Sequence, residues 1–413
     1  MDKVNSSSSN HHSSFITSFD TPIQRRGTNC VKWDECDDPD VLPMWVADMD
    51  FATAPCIMEA LRRRLEHGAF GYNIVPDSFY KAVAGWHEHR HGWHIEHKWI
   101  QYTIGVVPAL SAIIKGLCQE GDGVLFFTPA YNCFFSSIRN NGCRTVELPL
   151  TWHAGEERYT VDFEQMERTI VEQDAKLFLL CNPHNPACRV WTREELQRMA
   201  DICLQHGIIV VADEIHCEFV DPALGYAYTP FGTVADAMRA SGRQLSYVVA
   251  NAASKAFNIA GLQMAYIICP SAEMRQRIDR AININEVCDV NPFGIIATTA
   301  AYTREGEQWL DEMVQYIQQN YATFRRMLKD AFPQLPIARL DGTYLAWVDV
   351  SSLPLSSERI AAQLRSNHKV WVNPSEMYGS KGFLRVNLAC PRSQVEEATK
   401  RIIAGLKDVI ENG

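Results

Sequence analysis

The stretch "VVANAASKAFNIAGLQM" (residues 248–264) places a lysine directly after an apolar run. Residues 247–250 are typical of a buried strand, and Lys255 follows them among small and apolar residues such as Ala256 and Phe257. Lysine is among the side chains least often fully buried, and an unpartnered ammonium group in apolar surroundings is costly. The stretch therefore predicts a strand of the core that ends at a lysine with a chemical task.

Similar apolar runs alternate with helical stretches along the chain. They are "WIQYTIG" (99–105), "GVLFFTPAY" (123–131), "AKLFLLCNP" (175–183), "IIVVADE" (208–214), "LSYVVAN" (245–251) and "MAYIICP" (264–270). Strands that alternate with helices predict an α/β fold, with a mostly parallel central sheet and helices on both faces. Because the connection between residues 251 and 264 is short, the last run is a candidate antiparallel neighbour of the run before it.

The pattern changes after about residue 285. A long helical stretch (308–332) precedes short strand-like runs, "GTYLAWVDV" (342–350) and "GFLRVNL" (382–388). We expect four parts. They are a flexible N-terminus (1–14), an N-terminal segment that packs with the small domain (15–50), a large domain (51–285) and a small α+β C-terminal domain (286–413).

Composition excludes several classes of protein. The 413 residues carry a net charge of −10, with acidic and basic residues mixed along the chain, which does not favour binding to nucleic acid. No apolar run approaches the roughly 18 residues of a membrane span, and the polar first fourteen residues do not resemble a signal peptide. The thirteen cysteines are scattered without a CxxC pair, which favours a reducing cytoplasm.

Polar residues follow the predicted strands and define a candidate site. Ligands of an open parallel sheet bind beyond the carboxyl ends of its strands. The residues at these ends are 105–107, 128–131, 182–185, 213–216 and 254–255. A lysine and an aspartate that share such a cleft suit an enzyme that uses pyridoxal phosphate (PLP). The lysine forms a Schiff base with the cofactor, and the aspartate keeps the pyridine nitrogen protonated.

Six motifs in order resemble one family. They are "PMWVADMDFATAP", "FFTPAY", "LLCNPHNPACRVWTREEL", "VVADEIHCEF", "SKAFNIAGLQ" and "FLRVNLACPR". Together they resemble the aspartate-aminotransferase superfamily of fold type I PLP enzymes, and within it the C–S lyase branch of MalY/PatB-type cystathionine β-lyases. The resemblance runs from about residue 45 to residue 392. It implies that the large domain binds PLP, that both chain ends build the small domain, and that a homodimer carries two shared active sites.

The resemblance implies a role for each of several residues around the cofactor ring. Lys255 would form the Schiff base and later act as the base at the substrate Cα. Asp213 would pair with the pyridine nitrogen, and Asn185 would hydrogen-bond the phenolic oxygen. Tyr131 would stack on the ring. His216 would lie near the phenolic oxygen, where aminotransferases commonly have a tyrosine.

Other residues would hold the phosphate and the substrate. The backbone amides of Val106 and Val107 come where a helix begins, which is a natural phosphate site, and Ser254 could add a hydroxyl. Tyr72 would reach the phosphate of the partner subunit. Arg385 would bind the substrate α-carboxylate as a bidentate fork.

Each of these residues also has a purely structural interpretation. Taken alone, Asp213 could be a helix cap and Asn185 could be a turn residue. Tyr131 and Tyr72 could be core aromatics, and Arg385 could be a surface cation.

Three functions remain open at this point. The first is a C–S β-lyase that releases a thiol from cystathionine, cysteine or S-substituted cysteines and forms pyruvate and ammonia. The second is an aminotransferase of the same fold. The third is a PLP-binding lyase that also binds a regulatory protein. "WVADMDF" and His216 resemble the lyase branch and favour the first.

A histidine cluster and a cysteine need separate interpretation. In "WHEHRHGWHIEHKW" (86–99), His87 and His91 are four residues apart on a helix, a spacing that could place two imidazoles on one metal ion. Because no acidic or cysteine ligand follows at a suitable spacing, we expect a solvated polar face and no metal. Cys188 stands where the branch usually has glycine, which affects the shape of that loop.

Overall fold

The computed structural model describes residues 16–284, 286 and 289–412, so the stretch predicted to be flexible (1–14) lies outside the described residues. The helices are α1 (Ile16–Phe19), α2 (Val31–Asp34), α3 (Pro55–His67), α4 (Asp77–His91), α5 (Val106–Leu117), α6 (Asn132–Arg139), α7 (Phe163–Glu172), α8 (Arg193–Gln205), α9 (Phe231–Ala240), α10 (Ala272–Asn283), α11 (Pro292–Ala301), α12 (Arg304–Ala331), α13 (Ser357–Ser366) and α14 (Arg392–Asn412). The strands are β1 (Leu42–Pro43), β2 (Ile100–Thr103), β3 (Gly123–Thr128), β4 (Arg144–Pro149), β5 (Thr151–His153), β6 (Arg158–Thr160), β7 (Ala175–Cys181), β8 (Ile209–Asp213), β9 (Tyr247–Asn251), β10 (Ala265–Ile268), β11 (Leu345–Asp349), β12 (Val370–Trp371), β13 (Asn373–Pro374) and β14 (Phe383–Asn387).

A seven-stranded sheet forms the centre of the fold. Its strand order is β2-β10-β9-β8-β7-β3-β4. Strand β10 runs antiparallel to both of its neighbours, and the other adjacent pairs are parallel. The structure therefore confirms the predicted mostly parallel sheet and its antiparallel strand. Strand β4 was not predicted, and its alternating exposed and buried residues are typical of an edge strand rather than a core strand.

Helices cover both faces of this sheet. Successive residues of β3 point to opposite faces, so that Phe127 packs in one apolar cluster and Phe126 in another. The first cluster contains residues of α8 and α9, and the second contains residues of α5 and α10. Burial on both faces explains why the strands of the sheet are continuous apolar runs.

The C-terminal part of the chain forms a second, smaller layered unit. Strands β11, β14 and β13 make an antiparallel sheet, and residues of α12, α13 and α14 pack in its apolar cluster. Strand β1 pairs in parallel with β12, with Leu42 opposite Val370. Residues 42 and 43 of the N-terminal segment thus pair with this unit, and the division of the chain into domains remains a prediction. Among the described residues no helix is both long and apolar enough to cross a membrane.

Candidate active site

A cavity of about 200 Å³ opens at the carboxyl ends of β7, β8 and β9. It is lined by eight residues that the sequence predicted for the site: Lys255, Asp213, Asn185, Tyr131, Val106, Val107, His216 and Ser254. Parallel strands bring them together, because Asp213 ends β8 and the loops after β7 and β9 carry the asparagine and the lysine. Two predicted residues, Arg385 and Tyr72, do not line this cavity, and their positions are described below.

Lys255 projects into the cavity and is half-buried there. Its Nζ donates a hydrogen bond to the carbonyl oxygen of Ala47 at 2.6 Å. Burial lowers the pKa of this lysine, and Asp48 partly offsets that effect. A lysine whose neutral form is favoured in this way is prepared to act as a nucleophile and as a base.

Asp213 is a buried carboxyl group, and its burial disfavours the ionised form. It is 4% exposed, and its Oδ1 accepts a hydrogen bond from the Ile215 N–H at 3.2 Å. Burial raises the pKa of Asp213 to about 7, although the Ile215 bond and Lys255 act in the opposite direction. A protonated pyridine nitrogen would supply the charge that favours its ionised form.

The start of α5 offers free backbone donors to the same cavity. Gly105 precedes the helix as its N-cap residue, and within the described residues it makes no side-chain cap hydrogen bond. Val106 and Val107 begin the helix and line the cavity together with Ser254. Uncapped N–H groups at the positive end of a helix fit a phosphate group.

Arg385 lies in β14 and is only 4% exposed. Its Nη1 donates to Asn185 Oδ1 at 3.3 Å and its Nη2 to the carbonyl oxygen of Trp45 at 2.9 Å. The guanidinium carbon lies 4.6 Å from the centre of the Tyr378 ring, and Nε has no hydrogen-bond partner in the described chain. A buried guanidinium bound to neutral oxygens, with one free N–H, is suited to a carboxylate ligand.

His216 and Tyr131 also face the cavity. Burial, helped by Lys255 and Arg385, lowers the pKa of His216 to about 3, so this imidazole is neutral. Its Nδ1 has no partner within the described part of the chain, which leaves an atom available to a ligand. Burial also raises the pKa of Tyr131, so the phenol keeps its proton.

Tyr72 lies outside the cavity. Its side chain is 95% exposed, and its neighbours Phe70 and Ile74 are 52% and 82% exposed. One chain therefore does not bring Tyr72 to the other site residues. The role in a partner's site that the resemblance implies remains a prediction.

The sequence did not identify Tyr378, Tyr344 and Ala47, which lie around Lys255 and Arg385. Tyr378 stacks under Arg385, and Tyr344 donates to the same Ala47 oxygen that accepts from Lys255. Ala47 lies within "WVADMDF" (45–51), but no residue type in this motif indicates that a backbone carbonyl would face the lysine.

The interpretation of the histidine cluster as a solvated face is wrong for two residues. His87 is 1% exposed and contacts the Tyr266 hydroxyl at 3.0 Å, and His91 contacts Glu218 Oε1 at 3.0 Å. Glu218 and Cys217 follow β8, far away in sequence, so the spacing within the motif could not reveal them. Helix α4 ends at His91, and Gly92 follows as its C-cap with a φ of 62°.

Donor atoms of His91, Cys217 and Glu218 lie within 4.8 Å of one another, which is close enough for a metal ion. The Glu218 carboxylate, however, already accepts bonds from Trp86 Nε1 at 2.7 Å and from Arg90 Nε at 3.0 Å. Burial raises the pKa of the Cys217 thiol, and Glu218 adds to this effect. We interpret the cluster as a buried charge network, and the prediction of no metal remains a prediction.

Cys188 takes the backbone conformation that its usual glycine would take. Its φ is 60°, in the left-handed region that favours glycine, and the side chain is fully buried. The thiol donates to the carbonyl oxygen of Leu345 at 3.1 Å and to that of Pro186 at 3.3 Å. The loop therefore holds a cysteine in a conformation that a glycine adopts without strain.

The donors of the site fit pyridoxal phosphate. Lys255 with its lowered pKa would match the aldehyde, and the buried Asp213 carboxyl group would match the ring nitrogen. The N–H groups at the start of α5 would match the phosphate, and the buried Arg385 would match the carboxylate of an amino-acid substrate. Each feature is costly to bury without such a partner.

Comparisons with known proteins point to the aminotransferase class I and II family and, within it, to PLP-containing C–S lyases. The sequence profile of the family described as aminotransferase class I and II matches residues 39–402. The chain is 37% identical to cystathionine beta-lyase PatB of Bacillus subtilis over 394 residues, which cover 94% of this chain and 99% of the relative. Crystal structures of PLP-containing cystalysin from Treponema denticola and of a PLP-bound C–S lyase from Staphylococcus hominis superpose with TM-scores of 0.88 and 0.85. Each is 30% identical and covers 94% of this chain and 98% of the other.

Proposed function

This chain belongs to the class I and II aminotransferase family, and we propose that it is a pyridoxal-phosphate-dependent C–S β-lyase. Its fold is that of the fold type I PLP enzymes. The 37% identity to a cystathionine β-lyase over nearly the whole chain carries the proposal. The cavity supports it, because Lys255, Asp213 and Asn185 converge there and Arg385 contacts Asn185.

Two residues would prepare the substrate. Arg385 would bind the α-carboxylate through its buried guanidinium, whose Nε has no partner among the described side chains. Lys255 would hold the cofactor covalently through its Nζ. With the substrate carboxylate held by Arg385, the Lys255 amine would face the hydrogen at the substrate Cα.

The cleavage would then depend on proton transfer at Lys255. When bound, pyridoxal phosphate supplies an electron sink that stabilises negative charge at the substrate Cα. Asp213 would hold the proton of the ring nitrogen, and Lys255 would accept the Cα proton at its Nζ. Lys255 is then within reach to return a proton to the thiolate that leaves Cβ. Hydrolysis of the remaining fragment gives pyruvate and ammonia.

The decisive experiment separates the lyase from an aminotransferase. With L-cystathionine or an S-alkyl cysteine we expect pyruvate, ammonia and free thiol in equal amounts without any added keto acid. If product forms only when 2-oxoglutarate is supplied, the elimination assignment is wrong and the aminotransferase takes its place. Borohydride reduction followed by peptide mapping should place the cofactor on Lys255 alone.

We also propose that the enzyme acts as a homodimer in the cytoplasm. The exposed Phe70, Tyr72 and Ile74 form an apolar strip that a second copy could cover, and Tyr72 would then reach the phosphate in the partner's site. Thirteen scattered cysteines favour a reducing compartment.

A further inference from the structure

Five consecutive backbone carbonyls beside the cavity each accept hydrogen bonds from side chains. They belong to residues 45–49, which we call the carbonyl bracket. Some donors lie earlier in the N-terminal segment, and the others come from four distant parts of the chain: the loop after β9, the residue before β11, strand β13 and strand β14. Such a segment is fixed from several sides at once.

The bracket accepts hydrogen bonds from both Lys255 and Arg385, the two residues that would act on the substrate. The carbonyl oxygen of Ala47 accepts from Lys255 Nζ at 2.6 Å and from the Tyr344 hydroxyl at 2.8 Å. Two residues earlier, the carbonyl oxygen of Trp45 accepts from Arg385 Nη2 at 2.9 Å. The reactive lysine and the buried arginine are thus tied to the same short piece of backbone.

Two asparagines hold this backbone in place. Asn387 Nδ2 donates to the carbonyl oxygens of Val46 at 2.5 Å and Asp48 at 2.6 Å, on either side of Ala47. Asn258 accepts from the Met49 N–H at 3.1 Å and donates to the Met49 carbonyl oxygen at 2.9 Å. Because a carbonyl has the direction of its peptide plane, these bonds determine where the Ala47 oxygen points.

We propose that the carbonyl bracket sets the spacing between Lys255 and Arg385, and that Asn258 and Asn387 are positioning residues for the reaction. The inference rests on the proposed function. A lysine amine on a four-carbon stem is mobile once it leaves the cofactor, and the Ala47 oxygen gives it a fixed acceptor. After Lys255 takes the Cα proton, the same oxygen stabilises the ammonium form until the proton is passed on.

A glycine substitution isolates the side chain of Asn258. This residue has φ 54°, in the left-handed region, so Asn258→Gly deletes the amide while the backbone conformation remains accessible. Asn29 is the matched control, because it has φ 61° and is exposed on the surface. Asn29→Gly carries the same change in backbone freedom without a contact to the bracket.

Kinetics test the coupling to Arg385. We expect Asn258→Gly to raise KM about fivefold and to lower kcat about tenfold, and Asn29→Gly to change neither, because only the first loosens both groups. In an Arg385→Leu background, Asn258→Gly should leave KM unchanged, since the coupled contact is already gone. Equal effects of Asn258→Gly on KM in both backgrounds would mean that Asn258 acts on stability alone and would overturn the proposal.

A second measurement does not depend on catalysis. With the cofactor removed by dialysis against hydroxylamine and then against buffer, limited acetylation followed by mass spectrometry gives the reactivity of Lys255 near neutral pH. Moving the Ala47 oxygen and Asp48 away disfavours the ammonium form, so Lys255 in Asn258→Gly should react at least about threefold faster than in wild type. Unchanged reactivity in the variant contradicts the bracket even if the enzyme is a lyase. Absence of lyase activity in the wild type contradicts the proposed function and leaves this measurement valid.

Discussion

Arg385 donates a hydrogen bond to Asn185, with 3.3 Å between Nη1 and Oδ1. This bond links β14 to the loop after β7, which are 200 residues apart in sequence. The residue expected to bind the substrate carboxylate therefore contacts the residue expected to bind the cofactor. A change at either position is expected to affect both ligands.

We expect Arg385→Leu to raise KM and lower kcat together, with a loss in kcat/KM of about 10² to 10³, because the guanidinium both binds and orients the carboxylate. Arg385→Lys should recover little of this, since an ammonium group cannot replace the planar fork that reaches Asn185, Trp45 and the substrate. Steady-state kinetics with an S-alkyl cysteine would measure both variants. A full rescue by lysine would show that only the charge matters.

Asp213→Asn should stabilise the cofactor-free protein at high pH. Burial raises the pKa of Asp213 to about 7, whereas an unfolded aspartate loses its proton near pH 4. The folded state therefore binds more protons between these values, and stability falls as pH rises from about 4 to 7. At pH 8 the variant should be more stable than wild type by about 4 kcal/mol, and the difference should shrink toward pH 4.

Thermal unfolding of both proteins across this range gives the measurement. A difference that does not change with pH would show that Asp213 is ionised in the folded protein. With the cofactor bound the order should reverse, because the amide cannot pair with a protonated ring nitrogen.

The sequence predicted the residues at the strand ends and missed those that act through the backbone. Asp213 and Lys255 follow apolar runs, and a parallel sheet brings such ends together, so their proximity followed from the pattern. The bond from Lys255 to Ala47 could not be predicted, because its acceptor is a backbone carbonyl oxygen, which every type of residue carries. His91 was misread for a related reason, since its partner Glu218 is 127 residues away.

His216→Gln should make the protein less sensitive to acid. Burial lowers the pKa of His216 to about 3, while an unfolded histidine takes up a proton near pH 6.5. The unfolded state thus binds more protons below that value, and the stability of wild type falls as pH drops from about 6.5 toward 3. Between pH 7.5 and pH 5 the variant should gain about 2 kcal/mol relative to wild type. His94→Gln is the control for the same substitution at a surface position, because the His94 side chain is 75% exposed.

Two inactive variants should restore activity when they are mixed if Tyr72 completes the partner's site. Tyr72→Phe and Lys255→Ala, unfolded and refolded together, would form heterodimers in which one of the two sites has both residues intact. Random assortment makes these about half of the dimers, so about a quarter of wild-type activity should return. Mixing two differently tagged Tyr72→Phe proteins is the control. Activity of a monomer, established by ultracentrifugation, would contradict the shared site.

Gly379→Ala should weaken substrate binding indirectly, through Tyr378 and Arg385. Gly379 has φ 72°, and a Cβ there would lie 2.8 Å from Phe135 Cζ, so alanine is both strained and crowded. The left-handed conformation alone costs an alanine about 1–2 kcal/mol. The strain falls next to Tyr378, whose ring lies 4.6 Å from the Arg385 guanidinium, and a shift of the ring would displace that cation. We therefore expect a Tm lower by a few degrees and a KM raised about threefold or more, measured by calorimetry and steady-state kinetics.

Gly155→Ala is the control, because a Cβ at Gly155 would meet nothing within 4 Å, and it should change neither quantity. A lower Tm with an unchanged KM would show that Tyr378 does not control the position of Arg385.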